Sequence, residues 1–359
     1  MILTTIALFI SSFLSLFAFR KFAIYINLVD QPNARKHHNG AIPLVGGLAV
    51  FVVVFSYLLI FPDTITSSFL YLGCASTLLF VGVLDDLYDI SFRFRLALQV
   101  FISALMMGFG GLILSHIGYL FDNTPTELSY FGYLVTVIVV VGAINAFNMV
   151  DGIDGLLGAL ATITFSSMGF LFYFNGQQEL AAFCTVIVFA TVPYILLNLG
   201  IPLGQRFKIF MGDAGSTVIG FTVVWLLLEG SQTQLNQSFS PITALWLAGV
   251  PIIDAVSTIS RRVKKGQSPF KPDREHLHHI LLRLGLSTRQ ALVVICIFAL
   301  LFAGFGILVE VVNIPDYISL IIFLIVTAVY FVCMQRIWRI SVRVRQVFRI
   351  NRKRNNSFD

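Results

Sequence analysis

The chain has few charged residues and no paired cysteines, and both deficits exclude whole classes of protein. Only 12% of its 359 residues are Asp, Glu, Lys or Arg, whereas 57% are hydrophobic and the mean hydropathy is +0.87. A soluble globular domain carries roughly twice that charged fraction. Cys74, Cys184, Cys296 and Cys333 all lie in apolar stretches without paired spacing, so we expect neither a disulfide framework nor a thiolate metal site.

Several sequence fingerprints are also missing. The chain has no Gly-x-x-x-x-Gly-Lys-Ser/Thr loop and no Gly-x-Gly-x-x-Gly dinucleotide motif. It has no Gly-x-Ser-x-Gly nucleophile elbow either. These absences argue against a P-loop enzyme, a Rossmann dehydrogenase and an α/β-hydrolase.

What the chain has instead is about eleven long apolar runs, and roughly 20 apolar residues suffice to cross a bilayer. The predicted runs are 2–19, 41–61, 68–84, 96–116, 130–147, 156–174, 180–199, 215–229, 242–260, 291–311 and 315–335. We therefore predict an all-α polytopic membrane protein of about 11 transmembrane helices, with one transmembrane domain over 1–335 and a basic tail over 336–359.

Lys and Arg are absent from every second gap between these runs. All 24 lie in the first, third, seventh and ninth gaps and in the tail. Positive charge stays on the cytoplasmic side, so the N-terminus is predicted outside and the C-terminus inside. Arg20 and Lys21 follow the first run instead of preceding it, which favours a retained anchor over a cleaved signal peptide. The net charge of +6 suits a surface facing anionic lipid and gives no reason to expect nucleic acid.

The acids differ between the two predicted sides of the membrane. Outer acids are single and scattered among turn residues, so we expect solvated loop charges: Asp63, Asp122, Glu127, Glu179, Glu229, Glu310 and Asp316. Inner acids form compact groups with apolar flanks. Ionised groups at a membrane edge are costly and by default indicate function.

The first inner group is Asp85-Asp86-x-x-Asp89, at the end of the third run. If the helix continues, Asp85 and Asp89 share one face, and the three anions repel one another at the negative end of the helix dipole. Mg²⁺, which prefers carboxylate oxygens, is the simplest counter-charge. The alternative is a solvated acidic cap.

Two further motifs place amide and carboxylate groups at turns. Asn145-x-x-Asn148-x-x-Asp151-Gly-x-Asp154-Gly opens a short inner turn, and the alternative to a ligand site is helix capping with a tight turn. Phe-Met-Gly-Asp213 precedes the eighth run, which suits a metal ligand beside free amides for an anion, or else a simple helix cap. Gly46-Gly47 predicts a bend or a close helix approach at the start of the second run.

A His-rich segment follows in the longest inner loop. Arg274, His276, His278 and His279 lie together, downstream of Arg261. Such a cluster opposite carboxylates and a metal could meet the negative charge of a diphosphate. The competing zinc site lacks cysteine and a second distant ligand pair.

In this order, the motifs resemble those of the polyprenyl-phosphate N-acetylhexosamine-1-phosphate transferases, over nearly the whole chain. Within that family, the Asp-Arg-Glu-His-Leu-His-His-Ile segment and the Arg-Lys-His-His stretch that begins at 35 are similar to the WecA type, which uses UDP-GlcNAc. They differ from the MraY branch, which uses UDP-MurNAc-pentapeptide and carries Pro-Leu-His-His-His-Phe-Glu. The resemblance implies a multi-pass enzyme of the bacterial inner (cytoplasmic) membrane.

The resemblance also implies residue roles. Asn148 and Asp213 would hold Mg²⁺, with Mn²⁺ as the alternative, while Asp85 and Asp86 would face the lipid phosphate and the metal. The implied catalytic residues are Asp85, Asp86, Asp151, Asp213 and His276. The implied substrate-binding residues are Asn145, Asp154, Arg95, Arg261, Arg274, His278 and His279.

The implied reaction moves GlcNAc-1-phosphate from UDP-GlcNAc to undecaprenyl phosphate, releases UMP and initiates a lipid-linked cell-envelope glycan such as O-antigen. Other UDP-N-acetylhexosamine donors, with GalNAc, QuiNAc or FucNAc, remain open, as does the downstream polymer. Direct attack is favoured over a covalent Asp intermediate, because a phosphomonoester is largely dianionic at neutral pH.

Two other classes compete with an enzyme. A transporter would place ionisable groups near mid-membrane, whereas only Asp254 lies well inside a predicted run instead of at its end. A non-catalytic scaffold would not need the intact motif set. The expected partners are UDP-GlcNAc, undecaprenyl phosphate and the lipid bilayer, with a homodimer as the candidate assembly.

Overall fold

The computed structural model describes residues 2–31, 40–121, 124–233, 237–268 and 275–336, and these are mostly helical. Their helices are α1 (Ile2–Tyr25), α2 (Gly46–Ile60), α3 (Ser68–Tyr88), α4 (Phe92–Gly110), α5 (Phe131–Met149), α6 (Leu156–Phe174), α7 (Gln178–Asn198), α8 (Gly212–Gln232), α9 (Pro241–Leu247), α10 (Gly249–Lys264), α11 (Leu277–Arg283), α12 (Thr288–Val312) and α13 (Asp316–Gln335). Arg274, the basic stretch that begins at 35 and the tail beyond Arg336 lie outside the described residues.

Each predicted run corresponds to a helix or a helix pair, and two of them are not regular spans. Nine helices of the described ranges are long and apolar enough to cross a membrane. α9 and α10 meet that test only as a pair bent by 81°, and α2 has 15 residues. The bend precedes Pro251, which has no N–H to offer Leu247 and whose ring crowds that carbonyl. The chain is an all-α multi-pass membrane protein, as predicted.

Helix ends differ from the predicted run ends where the acids lie. α3 continues to Tyr88, so Asp85 and Asp86 belong to the helix. Asp89 is its C-cap, with φ of 54°, and donates its backbone N–H to the Asp85 carbonyl at 2.8 Å. The prediction that Asp85 and Asp89 share a helix face is therefore wrong, because the backbone turns into the left-handed region at Asp89, which Asp tolerates well.

α8 is the central helix of the bundle. Its apolar span is buried along its entire length, as expected of a helix that is apolar on all sides. Tyr71 of α3 packs on it, with its ring 5.8 Å from Phe221 and its hydroxyl 2.7 Å from Thr222 Oγ1. α8 is thus held against its neighbours, and its N-terminus is fixed in place.

The segment before α8 is held by the start of α2. Strands β1 (Val29–Asp30) and β2 (Ile42–Pro43) pair antiparallel, and Phe210 N–H then donates to the Pro43 carbonyl at 2.9 Å. A Cβ on Gly47 would overlap the backbone of Gly215, so the predicted close helix approach at this glycine is confirmed. This contact positions the first turn of α8.

Some outer acids are not the solvated loop charges that the sequence predicted. Glu229 is 5% exposed and Asp316 is 8% exposed. Glu229 accepts hydrogen bonds from the Thr66 N–H at 2.5 Å and from Trp225 Nε1 at 3.2 Å. The prediction failed because these acids bond to helix ends and turns brought close by packing, which makes burial tolerable.

Candidate active site

Four helix ends bring the acids of the first three motifs together. α3 and α5 end there, and α4 and α8 begin there. This is the end of the bundle where the Lys and Arg residues concentrate, which is the predicted cytoplasmic side. The helices around α8 thus direct separate motifs toward one surface.

Two of the acids share one cation. Arg95, in the first turn of α4, makes a short contact from Nη1 to Asp85 Oδ2, and the same nitrogen lies 3.1 Å from Asp213 Oδ2. Asp85 is 6% exposed, whereas the Asp213 side chain is 44% exposed. Arg95 therefore offsets part of the repulsion, and Asp213 stays open to a ligand.

Asp86 lies at the N-terminus of α8. Its Oδ1 accepts the Asp213 N–H at 3.0 Å, and its Oδ2 accepts the Ala214 N–H at 3.4 Å. The positive end of the helix dipole stabilises this carboxylate. The sequence predicted free amides here for an anion, and the structure corrects that prediction: Asp86 occupies these two amides itself.

Asn148 completes the acidic cluster. Its Nδ2 donates to Asp213 Oδ1 at 3.1 Å and to Ser216 Oγ at 2.9 Å. The structure thus brings together Asn148 and Asp213, the two predicted metal ligands. Because these bonds engage the amide nitrogen, a cation would be met by the amide oxygen.

The donor set of this cluster suits Mg²⁺ bound together with a substrate. Asp85 and Asp213 share a single guanidinium and Asp86 lies beside Asp213, so three carboxyl groups stand against one cation. Within the described residues, no three His, Cys, Asp or Glu side chains form a ready metal cage. Mg²⁺ is usually bound through one or two carboxylates plus substrate phosphates, which agrees with this arrangement.

The turn after α5 carries the remaining members of the Asn/Asp motif. Asn145 Nδ2 donates to Gln99 Oε1 at 2.7 Å, so this amide bonds to α4 and supports the cluster from the side. Asp154 pairs with Lys208 Nζ at 2.7 Å. Asp151 also lies in this turn, where loss of hydration and the charges of Asp213 and Asp154 raise its pKa to about 7.

His278 docks the His-rich segment onto this turn. A Cβ on Gly152 would overlap the His278 ring, so the segment and the Asn/Asp motif pack directly against each other. His278 is 2% exposed, and burial together with the neighbouring His279 and His276 lowers its pKa to about 3. His279 lies alongside, with ring centroids 4.2 Å apart. His278 is thus a neutral packing contact of the site.

Residues of α10 contact both His276 and Arg261. His276 Nδ1 lies 2.9 Å from Asp254 Oδ2. Arg261 is 8% exposed, makes a short contact to the Glu275 carbonyl and lies 3.2 Å from Thr258 Oγ1. Arg261 therefore holds the segment against α10 through the Glu275 carbonyl and is itself held by Thr258 of the same helix.

Known proteins match this chain along its whole length. A glycosyl transferase family 4 model matches residues 68–231, a range that contains the acidic cluster. Proteins named undecaprenyl-phosphate alpha-N-acetylglucosaminyl 1-phosphate transferase match more fully. That of Escherichia coli (strain K12) is 46% identical over 98% of this chain and 96% of its own length. That of Yersinia pestis is 46% identical over 97% and 95%, and that of Haemophilus influenzae 42% over 95% and 96%.

The chain belongs to glycosyl transferase family 4. As a member of that family, it is a membrane-embedded phosphoglycosyltransferase, and the resemblance stated from its motifs is confirmed.

Four polar contacts of this glycosyl transferase were not predicted from sequence. Lys208 had a signal, because it is one of only two cations in the seventh gap. Gln99 lies inside the apolar helix α4 and Ser216 near the start of α8. Tyr330, whose hydroxyl donates to Asp254 Oδ1 at 2.8 Å, lies inside α13, and nothing local sets these three apart from packing residues. Their partners are far away in the chain, so only the folded structure reveals them.

Proposed function

We propose that this chain transfers GlcNAc-1-phosphate from UDP-GlcNAc to undecaprenyl phosphate, releasing UMP, in a reaction that depends on Mg²⁺. The observation that carries the proposal is the convergence of Asp85, Asp86, Asn148 and Asp213 at one end of a membrane bundle. The names of the full-length relatives support the acceptor lipid and the GlcNAc group.

The location of the cluster suits the two substrates. A polyprenyl chain has to stay in hydrocarbon, while a nucleotide sugar stays in water, so their phosphates can meet only at the membrane edge. The cluster lies where membrane-length helices end. We accordingly propose a bacterial inner-membrane enzyme whose site faces the cytoplasm.

The cation has an identifiable place in this proposal. Asp213 and the Asn148 amide oxygen would hold it, with Asp85 and Asp86 adding negative charge nearby. When bound, Mg²⁺ neutralises the diphosphate and the charge that develops on leaving UMP. Mn²⁺ offers the same oxygen chemistry and is the alternative ion.

The chemical step needs positioning more than covalent help. An oxygen of the lipid phosphate attacks the β-phosphorus of UDP-GlcNAc, a new phosphoanhydride forms, and the bond to the α-phosphate oxygen breaks so that UMP leaves with its electron pair. The attacking phosphate is largely dianionic at neutral pH and needs no strong base. Asp85, already paired with Arg95, orients the acceptor, while Asp151, Asp154 and Lys208 border the nucleotide side.

The test is transfer of radiolabel from UDP-GlcNAc to undecaprenyl phosphate by purified protein, with Mg²⁺ and with EDTA. We expect Mg²⁺-dependent label in the organic phase and release of UMP instead of UDP. Parallel assays with UDP-GalNAc test which sugar is transferred. Preference for that donor would show that the substrate is another UDP-N-acetylhexosamine. If the protein binds UDP-GlcNAc but transfers no label, undecaprenyl phosphate is not its acceptor.

Two predictions around the reaction have their own tests. A phosphosugar–enzyme adduct isolated without lipid would replace direct attack by a covalent route. The homodimer stays a prediction, and sedimentation in detergent would test it.

A further inference from the structure

We propose that Asp254 is a positioning residue that fixes the tautomer and orientation of His276, so that the Nε2 atom of this imidazole is directed at the diphosphate. The inference rests on the proposed function. Asp254 lies on α10, and its contacts lead to the site through the start of the His-rich segment.

Asp254 is buried and makes three directed contacts. It is 2% exposed. Its Oδ1 accepts the backbone N–H of Leu277 at 3.0 Å and the hydroxyl of Tyr330 at 2.8 Å, and its Oδ2 lies 2.9 Å from His276 Nδ1. These contacts join α10, the start of α11 and α13 at a single carboxylate.

The two carboxylate oxygens of Asp254 differ in whether an Asn side chain could replace them. An Asn side chain could accept the Leu277 and Tyr330 hydrogen bonds equally well through its one oxygen. Only the contact with His276 Nδ1 needs a second acceptor at the other position. An ionised carboxylate is costly to bury, so its presence here favours a role toward the imidazole over a purely structural one.

A carboxylate can only accept at this position, which fixes the proton on His276 Nδ1. The Nε2 atom is then the functional one: it accepts a hydrogen bond in the neutral ring and donates to a phosphate oxygen in the imidazolium. A carboxylate behind the ring also stabilises the imidazolium, which a developing negative charge on the diphosphate would favour.

The position of the ring agrees with this role. His276 stacks parallel to His278, with centroids 5.8 Å apart, and His278 abuts Gly152 of the Asn/Asp motif. Within the described residues, His276 Nε2 has no hydrogen-bond partner and is not among the fully buried polar atoms. The Nε2 atom therefore has accessible surface, one imidazole ring away from the turn at Gly152.

The decisive variant is Asp254→Asn. Its oxygen can keep the Leu277 and Tyr330 bonds, while its NH₂ must donate to His276 Nδ1 and so drives the proton to Nε2. We expect kcat to fall about 10- to 100-fold, as for other lost imidazole-orienting partners, with KM for UDP-GlcNAc changed less than about threefold. The matched control is Tyr330→Phe, which removes one bond to Oδ1 and leaves the Nδ1 contact, so kcat should stay within about threefold.

The tautomer itself gives a readout that activity does not. In protein labelled with ¹⁵N-His, the ring signals of His276 are assigned by their loss in His276→Gln. We expect a protonated Nδ1 in the wild type and in Tyr330→Phe, and a bare Nδ1 with protonated Nε2 in Asp254→Asn.

The outcomes separate the two proposals. A bare Nδ1 in the wild type overturns the inference even if Asp254→Asn fails to fold, and so does wild-type kcat in a folded Asp254→Asn protein. A wild type with the expected tautomer that transfers no sugar phosphate would leave the positioning intact and reject the proposed function.

Discussion

The two ends of the helix bundle both bury acids, yet they do so in different ways. At the outer end, each buried or half-buried acid has neutral donors of its own: Glu229 has Thr66 and Trp225, Glu310 has Ser240 and Thr243, and Asp316 has Tyr119. At the inner end, Asp85 and Asp213 share the one cation Arg95, and Asp86 lies against the backbone N–H of Asp213. An acid whose hydrogen bonds are satisfied by its own neutral donors holds two parts of the fold together. Acids that lie close to one another leave negative charge that a bound cation or ligand can neutralise.

Neutralising one acid at each end should produce the largest difference in kcat. We expect Asp213→Asn to lower kcat about 10²- to 10³-fold, because it removes charge that would meet the cation and the diphosphate. The measurement is UMP release at saturating UDP-GlcNAc. Glu229→Gln is the matched control: it removes one buried charge from the same helix and should leave kcat unchanged. Equal losses in both folded variants would show that the two ends do not differ in function.

Sequence reasoning predicted the helices and the end where the site lies, because apolar runs and the distribution of Lys and Arg are local properties of the chain. It identified Asn148 and Asp213 as neighbours only through motif resemblance, and the 3.1 Å contact agrees. It could not predict that Asp86 occupies the start of α8, 127 positions away in the chain. That contact depends on how α3 packs against α8, which no local pattern encodes.

The buried outer acids show the same limit. Glu229 was predicted to be solvated because the outer acids stand singly among turn residues in the sequence. The donor at 2.5 Å comes from Thr66, in the turn between α2 and α3, and only packing brings it there. The bend between α9 and α10 could have been predicted in part, because Pro251 favours a break in a helix. The continuous apolar run 242–260 instead suggested one straight span.

The packing of the His-rich segment against the Asn/Asp motif gives a second test at the inner end. We expect Gly152→Ala to lower kcat about 10- to 100-fold, because its Cβ would displace the buried His278 ring and shift the whole segment. Gly142→Ala is the control, since a Cβ at that glycine meets open space. It should keep full activity and stabilise α5 by about 0.5–1 kcal/mol. Full activity in Gly152→Ala would mean that the His-rich segment need not rest on the Asn/Asp motif.

Substitution of Glu229 at the outer end should change the stability of the protein and leave kcat unchanged. In Glu229→Gln the new NH₂ faces the Trp225 N–H or the Thr66 N–H, so one buried donor loses its acceptor. We expect this to cost about 1–3 kcal/mol, which thermal unfolding in detergent would register as a lower Tm. An unchanged Tm would show that the side chain turns to find another acceptor.

The smallest expected effect is a pH-dependent change of stability at the inner end. The pKa of Asp151 is raised from its usual value near 3.8 to about 7 by lost hydration and by Asp213 and Asp154. The folded state therefore holds this proton more tightly than the unfolded chain, and metal-free protein should lose stability as the pH rises from about 4 to about 7. Asp151→Asn carries no such charge, so in EDTA its Tm should exceed that of the wild type above pH 7 and match it near pH 4. A Tm advantage that is equal at both pH values would contradict the assignment, because only ionisation of the carboxyl group makes the difference depend on pH.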